Sequence, residues 1–375
     1  ALNRKFSCAK SKSMTSTTAT NKRPSAAELL ELTGVRELSS LAFIGLSKNA
    51  GKTSSLNHLL MACVDEGFKR PLALTSIGRD GEESDVVTQT EKPRIYAPAG
   101  SLLLTATGSL QRSDALLDIL ELSGIYTAFG EIALCRVLIS GYVELAGPSM
   151  AQELKLCEAL LRRTAPDALY LIDGALSRRS PAGGGLSEAA VLAFNAGHSG
   201  RISELLHSCR HALRLLTLPA VDLDLQRKLA SALGENQEDL RAIALGKNES
   251  FRPLRLHTLL GGDELRDFVD SSDRGLMLRG ALTDRSATAL LKARRARSFR
   301  LIAEDGTRIF LSPAKLRELE TSGIELNVLC PLRLLWLAFN PRLDDGSPLP
   351  STEILPRLQA ELPLPVFDLG PALMV

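Results

Sequence analysis

The stretch "LAFIGLSKNAGKTSSLNHLL", residues 41–60, decides the fold. It opens with four apolar residues, 41–44, a run short enough for one strand of a parallel sheet that is buried on both faces. After the tripeptide GKT, residues 51–53, apolar side chains recur at the three- and four-residue spacing of one helix face, at Leu56, Leu59, Leu60 and Cys63. The pattern therefore predicts a strand, a short polar loop and a helix.

The polar loop is typical of a phosphate-binding P-loop, because the first N–H groups of a helix have no intrahelical partner and point at whatever precedes the helix. Gly51 lets the backbone approach a phosphate, Lys52 can reach the β- and γ-phosphate oxygens, and Thr53 can bind Mg²⁺. The spacing is G-x5-G-K-T, one residue longer than the usual motif, with Leu46 where the first glycine would stand. GKT alone occurs by chance, but its place between a strand and a helix favours a nucleotide site over simple packing. The predicted nucleotide-binding residues of the loop, with ATP and Mg²⁺ as cofactors, are Gly45, Ser47, Lys48, Asn49, Ala50, Gly51, Lys52, Thr53 and Ser54.

A carboxylate for the metal follows another apolar run, in "ALYLIDGALSRRS", residues 168–180. Asp173 comes after five apolar or aromatic residues, so we expect it at the carboxyl edge of a buried strand, where the first strand also delivers its loop. There it would bind Mg²⁺ together with Thr53 or position the attacking water. An Asp-Gly turn without a metal is the alternative.

Further charged side chains are candidates around the phosphates. Asp80, after the second strand, can orient water or hold Mg²⁺ through a water, although the acidic residues that follow it also suit an exposed loop. Arg178 lies in the loop after Asp173 and either stabilises phosphate charge during transfer or is simply exposed. The predicted catalytic residues are thus Lys52, Asp80 and Arg178.

A strand near the carboxyl terminus, "LLWLAF", ends at Asn340-Pro341. An amide at a strand end can hydrogen-bond an adenine edge, since it offers both a donor and an acceptor. Asn340 is therefore a predicted nucleotide-binding residue, with a turn-forming Asn-Pro pair as the alternative.

Composition argues against several classes of function. Hydrophobic residues make up 45% and charged residues 23% of the 375-residue chain, as in soluble globular proteins, and no apolar run approaches the roughly 20 residues of a membrane span. A net charge of +2 with 4% aromatic residues indicates no nucleic-acid surface. Six cysteines lie far apart without a C-x-x-C pair, which predicts a reducing, cytoplasmic location.

Most apolar runs are continuous and alternate with helical patterns, which predicts an α/β fold with a doubly wound, mainly parallel sheet of the P-loop NTPase type. The predicted parts are a disordered basic tail (1–33), a P-loop nucleotide-binding core (34–200), a helical insertion (201–270) and a carboxyl-terminal α/β part that completes the sheet (271–375). The tail is inferred because residues 1–27 hold six basic and no acidic residues; a transit peptide is the alternative. Within the core, "SDALLDILELSG", residues 113–124, predicts a capped helix.

Two motifs of the site, "GLSKNAGKT" and "LYLIDGA", resemble the dethiobiotin synthetase and cobyrinic acid synthase branch of P-loop proteins. The resemblance implies ATP with Mg²⁺ on a doubly wound sheet, with Asp173 where that branch often carries glutamate. Amidoligase-type members have a Lys-Pro dipeptide after the second strand for a substrate carboxylate, and this chain has "TSIGRDG" instead. The departure argues against substrate activation of that kind.

A longer resemblance covers residues 45–180. The blocks "GLSKNAGKT", "TSIGRDGE", "TEKPRIY", "GYVELAGPS" and "DGALSRRS" look like the P-loop accessory protein encoded with adenosylcobalamin-dependent lysine 5,6-aminomutase, a component of its reactivating factor. This resemblance implies an ATP-driven chaperone that helps a mutase exchange inactivated cobalamin. Its protein partner would be the aminomutase or the other reactivating subunit, and a homodimer is a further expectation.

Two functions of different classes therefore stay open. One is a nucleotide-operated switch or chaperone, in which Mg-ATP orders loops and hydrolysis releases them. The other is a ligase or kinase that acts on a small carboxylate or alcohol, which needs a substrate pocket beside the γ-phosphate. A degenerate site without turnover is less favoured, because Lys52, Thr53 and Asp173 are all present.

Overall fold

The computed structural model describes residues 24–47, 49–78, 94–174, 187–197, 200–233, 240–247, 250–254, 269–270, 272–293 and 298–369. Over these residues the chain is a mixed α/β protein with a large, mainly parallel sheet, as the sequence predicts. Within the same ranges, none of the helices has the length and the apolar character needed to cross a membrane.

The secondary structure of these ranges is numbered in chain order. The helices are α1 (Ala26–Thr33), α2 (Lys52–Asp65), α3 (Thr107–Leu110), α4 (Ala151–Thr164), α5 (Ile202–Leu216), α6 (Leu223–Leu233), α7 (Asp284–Ala293), α8 (Pro313–Thr321) and α9 (Ser351–Glu361), with one 3-10 helix, Gly306–Arg308. The strands are β1 (Ser40–Gly45), β2 (Leu72–Ser76), β3 (Ile95–Ala97), β4 (Leu102–Ala106), β5 (Leu116–Thr127), β6 (Gly130–Ile139), β7 (Gly141–Val143), β8 (Leu169–Asp173), β9 (Ala189–Asn195), β10 (Ala242–Leu245), β11 (Phe251–Leu254), β12 (Gly275–Leu278), β13 (Leu282–Thr283), β14 (Phe299–Ala303), β15 (Ile309–Phe310), β16 (Ile324–Val328), β17 (Leu334–Asn340) and β18 (Val366–Asp368).

A nine-stranded sheet organises the molecule, in the order β18-β17-β9-β1-β8-β2-β4-β6-β5. The strands from β18 to β4 are parallel, and β6 and β5 add an antiparallel hairpin at one edge. β1 lies between β8 and β9 and is buried along its whole length, as its continuous apolar run predicts. The carboxyl ends of β1, β8, β9 and β17 therefore meet at one edge of the sheet.

Helices cover both faces of the nine-stranded sheet, because each buries one apolar stripe against it. On one face α1 and α2 contribute Leu30 and Leu56 to the core. On the other face α4, α5 and α9 contribute Leu161, Leu206 and Leu358. This arrangement gives the helix-covered, mainly parallel sheet that the alternating pattern predicts.

Five further strands form a second sheet, in the order β11-β10-β12-β14-β16. β12, β14 and β16 run parallel, and β10 and β11 are antiparallel to their neighbours. α6 covers one face, and α7 and α8 cover the other. α5 links the two sheets, since Leu206 packs on the nine-stranded sheet and Leu215 packs in the core of the five-stranded one.

This second sheet corrects two of the predicted parts. The part 201–270 is not only helical, because it also contributes β10 and β11. The part 271–375 sends β12, β14 and β16 into the five-stranded sheet, and among its described strands β17 and β18 complete the nine-stranded one. Five of the strands concerned are only four to seven residues long, namely β10, β12, β14, β16 and β17. A short apolar run in the sequence indicates a buried strand but does not indicate which strand lies beside it.

The predicted tail is also too long at its carboxyl end. Ser25 caps α1 by accepting from the backbone N–H of Glu28, and the Glu28 carboxylate accepts from the backbone N–H of Ser25 in return. This capping box fixes the first turn of the helix. Leu29 and Leu30 then bury the helix against the core, so residues 26–33 are ordered, and residues 1–23 lie outside the described residues.

The predicted helix at 113–124 is wrong, because β5 occupies most of this segment. The β5–β6 pairing shifts register between Ile119 and Glu121 and again between Leu122 and Tyr126. Each shift inserts extra residues into the two-residue alternation of a strand. The resulting spacing of the apolar residues imitates the period of a helix.

Candidate functional site

The predicted loop joins β1 to α2, the strand and helix that the sequence places on either side of it. Gly51 caps α2 with φ 97°, in the left-handed region where glycine is favoured. The hydroxyl of Ser55 donates to the Gly51 carbonyl at 2.8 Å and the Ser55 backbone N–H donates to the same oxygen at 2.9 Å. Ala50 is buried and Asn49 is exposed, so one residue anchors the loop while its neighbour faces solvent.

Gly45, at the end of β1, is a glycine because of the side chains packed against it. A Cβ atom at this position would lie 3.0 Å from Cγ of Lys52 and 3.1 Å from Cβ of Ala50. The alkyl chain of Lys52 therefore crosses the end of β1, and Gly45 makes room for it. This packing accounts for a glycine that stands one position earlier than in the usual motif.

Thr53 and Asp173 meet beside the loop. Oγ1 of Thr53 donates to Oδ2 of Asp173 at 2.9 Å. Asp173 pairs with Phe43 of β1 and with Ser76 of β2 in the parallel ladders, which fixes its height at the carboxyl edge of the sheet. The two oxygen-bearing groups that the sequence predicts as metal ligands are thus brought together across 120 residues of chain.

Asn340 lies against the same loop from the other side of β1. Its Nδ2 donates to the backbone carbonyl of Asn49 at 2.8 Å, and its Cβ lies 3.4 Å from where a Cβ of Gly51 would be. Asn49 has φ 58°, a left-handed conformation that asparagine tolerates better than most residues. Asn340 therefore supports the loop directly, and its contact with an adenine edge stays a prediction.

Two residues that the sequence analysis missed complete the surroundings of the loop. Ser47 Oγ donates to Oδ1 of Asn195 at 2.9 Å, and Nδ2 of Asn195 donates to Oδ1 of Asp344 at 2.6 Å. Asn195 is 5% exposed and ends β9, where it pairs with Asn340 of β17. The run "AAVLAFN" ends in asparagine just as "LLWLAFN" does, and this shared ending is the signal that could have identified it.

Of the remaining predicted site residues, the structure describes one and leaves three outside the described ranges. Ser54 is half-buried in the first turn of α2, one residue beyond Thr53. Lys48, Asp80 and Arg178 lie outside the described residues, so their roles stay predictions.

The donor set fits a magnesium nucleotide. A helix N-terminus and a lysine favour an anion at the loop. No group of three or more His, Cys, Asp and Glu side chains suited to a metal occurs within the described ranges. One carboxylate and one hydroxyl match Mg²⁺, which proteins commonly bind through one or two carboxylates together with substrate phosphates and water.

The structure thus assembles one local motif, a strand-end carboxylate and two strand-end asparagines at a single edge of a parallel sheet. Comparison of the chain with models of protein families, with curated proteins and with solved structures found no match.

Proposed function

We propose that the chain is a P-loop NTPase that binds Mg-ATP and hydrolyses it to change the conformation of a protein partner. The observation that carries the proposal is the 2.9 Å hydrogen bond from Thr53 Oγ1 to Asp173 Oδ2. It joins the first turn of the helix after the loop to the carboxyl end of the adjacent parallel strand. A hydroxyl and a carboxylate at this junction, beside a lysine, have the chemistry of a site for nucleotide phosphates and Mg²⁺.

The proposed role of each group in the site follows from its charge. Backbone N–H groups at the start of α2 and the Lys52 ammonium hold phosphate oxygens, since a helix N-terminus and a cation both favour an anion. Thr53 and Asp173 hold Mg²⁺, which when bound neutralises the charge that develops on the phosphates during transfer. Asp80 is the predicted group that orients water, and Arg178 is the predicted cation for the transferred phosphate.

The surroundings of the loop support a switch. Ser47 is connected through Asn195 to Asp344, which lies in the segment after β17. Two leucines of that segment, Leu343 and Leu349, crowd the position where Gly200 would carry a Cβ, just before α5 begins. α5 in turn reaches the five-stranded sheet, so movement of the loop has a contiguous path to the second half of the molecule.

The partner is proposed from the resemblance described above. A cobalamin-dependent aminomutase, or the other subunit of its reactivating factor, would receive the conformational change and exchange inactivated cofactor. The alternative of a ligase or kinase that acts on a small carboxylate or alcohol stays a prediction, and stimulation of turnover by such a metabolite would favour it.

Calorimetric titration of ATP with Mg²⁺ into the full chain and into Lys52→Ala tests the proposal. We expect Lys52→Ala to weaken binding by about 10-fold or more, since it removes charge-assisted hydrogen bonds to phosphate. Asp173→Asn keeps the side-chain size but removes the charge that holds Mg²⁺, so Mg-dependent turnover should fall by about 100-fold. Titration with GTP in place of ATP measures the nucleotide preference.

Matched controls distinguish the loss of a site residue from the general effect of removing a surface charge. Lys155→Ala on α4 and Asp167→Asn before β8 change exposed residues far along the chain from the loop. These variants should bind and hydrolyse ATP as the wild type does. Absence of binding to either nucleotide by the wild type would refute the proposal.

A further inference from the structure

The β5–β6 hairpin exposes a concentration of large apolar side chains. Six of the twelve large hydrophobic residues that are strongly exposed in the described part of the chain lie on it, namely Leu116, Ile119, Leu122, Tyr126, Leu138 and Ile139. Scattered exposed leucines are normal on a protein surface, whereas a contiguous patch marks an interaction site. Among the described residues, half of the exposed large hydrophobics lie on this one hairpin, and this concentration makes it a candidate interface.

The hairpin also ends the nine-stranded sheet. β5 is the last strand in the order, and β6 is its neighbour among the described strands. β5 has 12 residues, about 40 Å at roughly 3.4 Å per residue. The outer side of this edge presents backbone donors and acceptors, interrupted at the register shifts of β5, and these groups are available to pair with another strand.

The sequence of β5 is complementary to itself in one antiparallel register. Ile119 pairs with Cys135 of β6 and Leu122 pairs with Ala133, and these two partners lie in the same core. Ile119 and Leu122 therefore share a face, although they are three residues apart, because the register shifts between them. Pairing of two copies about a two-fold axis between Leu120 and Glu121 places Ile119 of each copy opposite Leu122 of the other.

Charge agrees with this register. The acidic residues of β5 are Asp118 and Glu121. In the register above, Asp118 lies opposite Ser123 and Glu121 lies opposite Leu120, so no carboxylate faces another. A shift of two residues would place Asp118 directly opposite Glu121, which like-charge repulsion disfavours.

We infer that β5 pairs with β5 of a second copy of this chain, so that the two nine-stranded sheets become continuous across a two-fold axis. A closed two-fold dimer is the commonest symmetric assembly, and its interface must be complementary to itself, as β5 is. β5 contributes up to 12 residues of each copy to this pairing. This inference is independent of the proposed nucleotide chemistry.

Sedimentation equilibrium of the full chain at micromolar concentration tests the inference. We expect a dimer for the wild type and at least about a 100-fold weaker dimer for Leu122→Glu, because the substitution puts an unpaired carboxylate into the apolar contact. Leu223→Glu on α6 is the matched control, since Leu223 is 64% exposed and lies outside the hairpin. The control should remain a dimer, and circular dichroism verifies that both variants are folded.

The register has its own test. Oxidation of a mixture of Ile119→Cys and Leu122→Cys chains should give a disulfide between the two variants, while each variant alone should give none, because each position faces the other across the axis. A monomeric wild type would overturn the inference, and so would a Leu122→Glu variant that associates like Leu223→Glu. If a different protein occupies this surface instead, the wild type will be monomeric on its own, and the inference is then overturned.

Discussion

At the scale of single residues, Asn195 holds the loop through both ends of its amide. Its Oδ1 accepts from Ser47 at 2.9 Å, and its Nδ2 donates to Asp344 at 2.6 Å. A buried amide with two partners is costly to disturb, because removal of one group leaves the other without its hydrogen bond. The loop is therefore held in place by a side chain from the neighbouring strand as well as by its own backbone.

We expect Asn195→Asp to weaken ATP binding by about 10-fold and to lower the free energy of unfolding by about 2 kcal/mol, since the new carboxylate faces Asp344. The double variant Asn195→Asp with Asp344→Asn exchanges the donor and the acceptor and should restore both quantities. Titration calorimetry measures the affinity, and urea unfolding measures the stability. Equal effects of the single and double variants would contradict this role of Asn195.

The residues that the sequence predicts for the site differ from Asn195 and Asp344 in how local their signals are. Lys52 and Thr53 belong to a motif within one loop, and Asp173 ends an unmistakable buried run. Asn195 and Asp344 are joined by a hydrogen bond, although they are 149 residues apart in the sequence. No pattern within either segment indicates the hydrogen bond between them, because that contact depends on β9 and β17 being neighbours.

At the scale of elements, β5 illustrates where pattern reasoning fails. Its apolar residues have the spacing of a helix, but register shifts, not helical turns, produce that spacing. β1 and α2 were predicted correctly because their patterns are regular over their whole length. The short strands of the second sheet, such as β10, were absorbed into a predicted helical insertion, since four apolar residues satisfy either interpretation.

Three of the helices that cover the nine-stranded sheet bury a thiol, and this predicts a pH dependence. Burial raises the pKa of Cys63 on α2, Cys157 on α4 and Cys209 on α5 to about 12, from 9.0. The unfolded chain therefore releases these protons at a lower pH than the folded chain does. The stabilising contribution is complete below pH 9.0 and is lost as the pH rises towards about 12.

We expect the free energy of unfolding to fall steadily above about pH 9, as measured by urea titrations at increasing pH. Replacement of Cys63, Cys157 and Cys209 by alanine should make that decline shallower while it lowers stability at neutral pH through the cavities left behind. An unchanged slope in the triple variant would assign the alkaline decline to other groups.

At the scale of the whole molecule, Gly306 marks the junction between the two sheets. A Cβ at Gly306 would lie 2.5 Å from the Leu215 carbonyl oxygen and 2.6 Å from Cα of Leu216, both on α5. His211 of the same helix contacts the Leu311 carbonyl at 2.7 Å through Nε2. Close backbone approach at this one point thus couples the helix of the first sheet to the second.

We expect Gly306→Ala to push this junction apart and to lower the free energy of unfolding by about 3 kcal/mol, with the five-stranded sheet unfolding before the nine-stranded one. Differential scanning calorimetry should then show two transitions where the wild type shows one. Gly67→Ala is the control, because a Cβ there meets nothing within 4 Å and adds only the strain of its φ of 57°. Similar scans for the two variants would argue against coupling at Gly306.

The hydrogen bond from Asn340 to Asn49 spans 291 residues of chain. A ribosome that adds about 5–20 residues per second needs roughly 15–60 s to make that length. During this time β1 and the loop are already synthesised, but β17 and the support it gives to the loop are not. The loop with its Asn340 support is thus one of the last parts of the molecule that can be completed during translation. Under the proposed function, ATP would stabilise the nascent chain through the complete site only after most of the chain has been made.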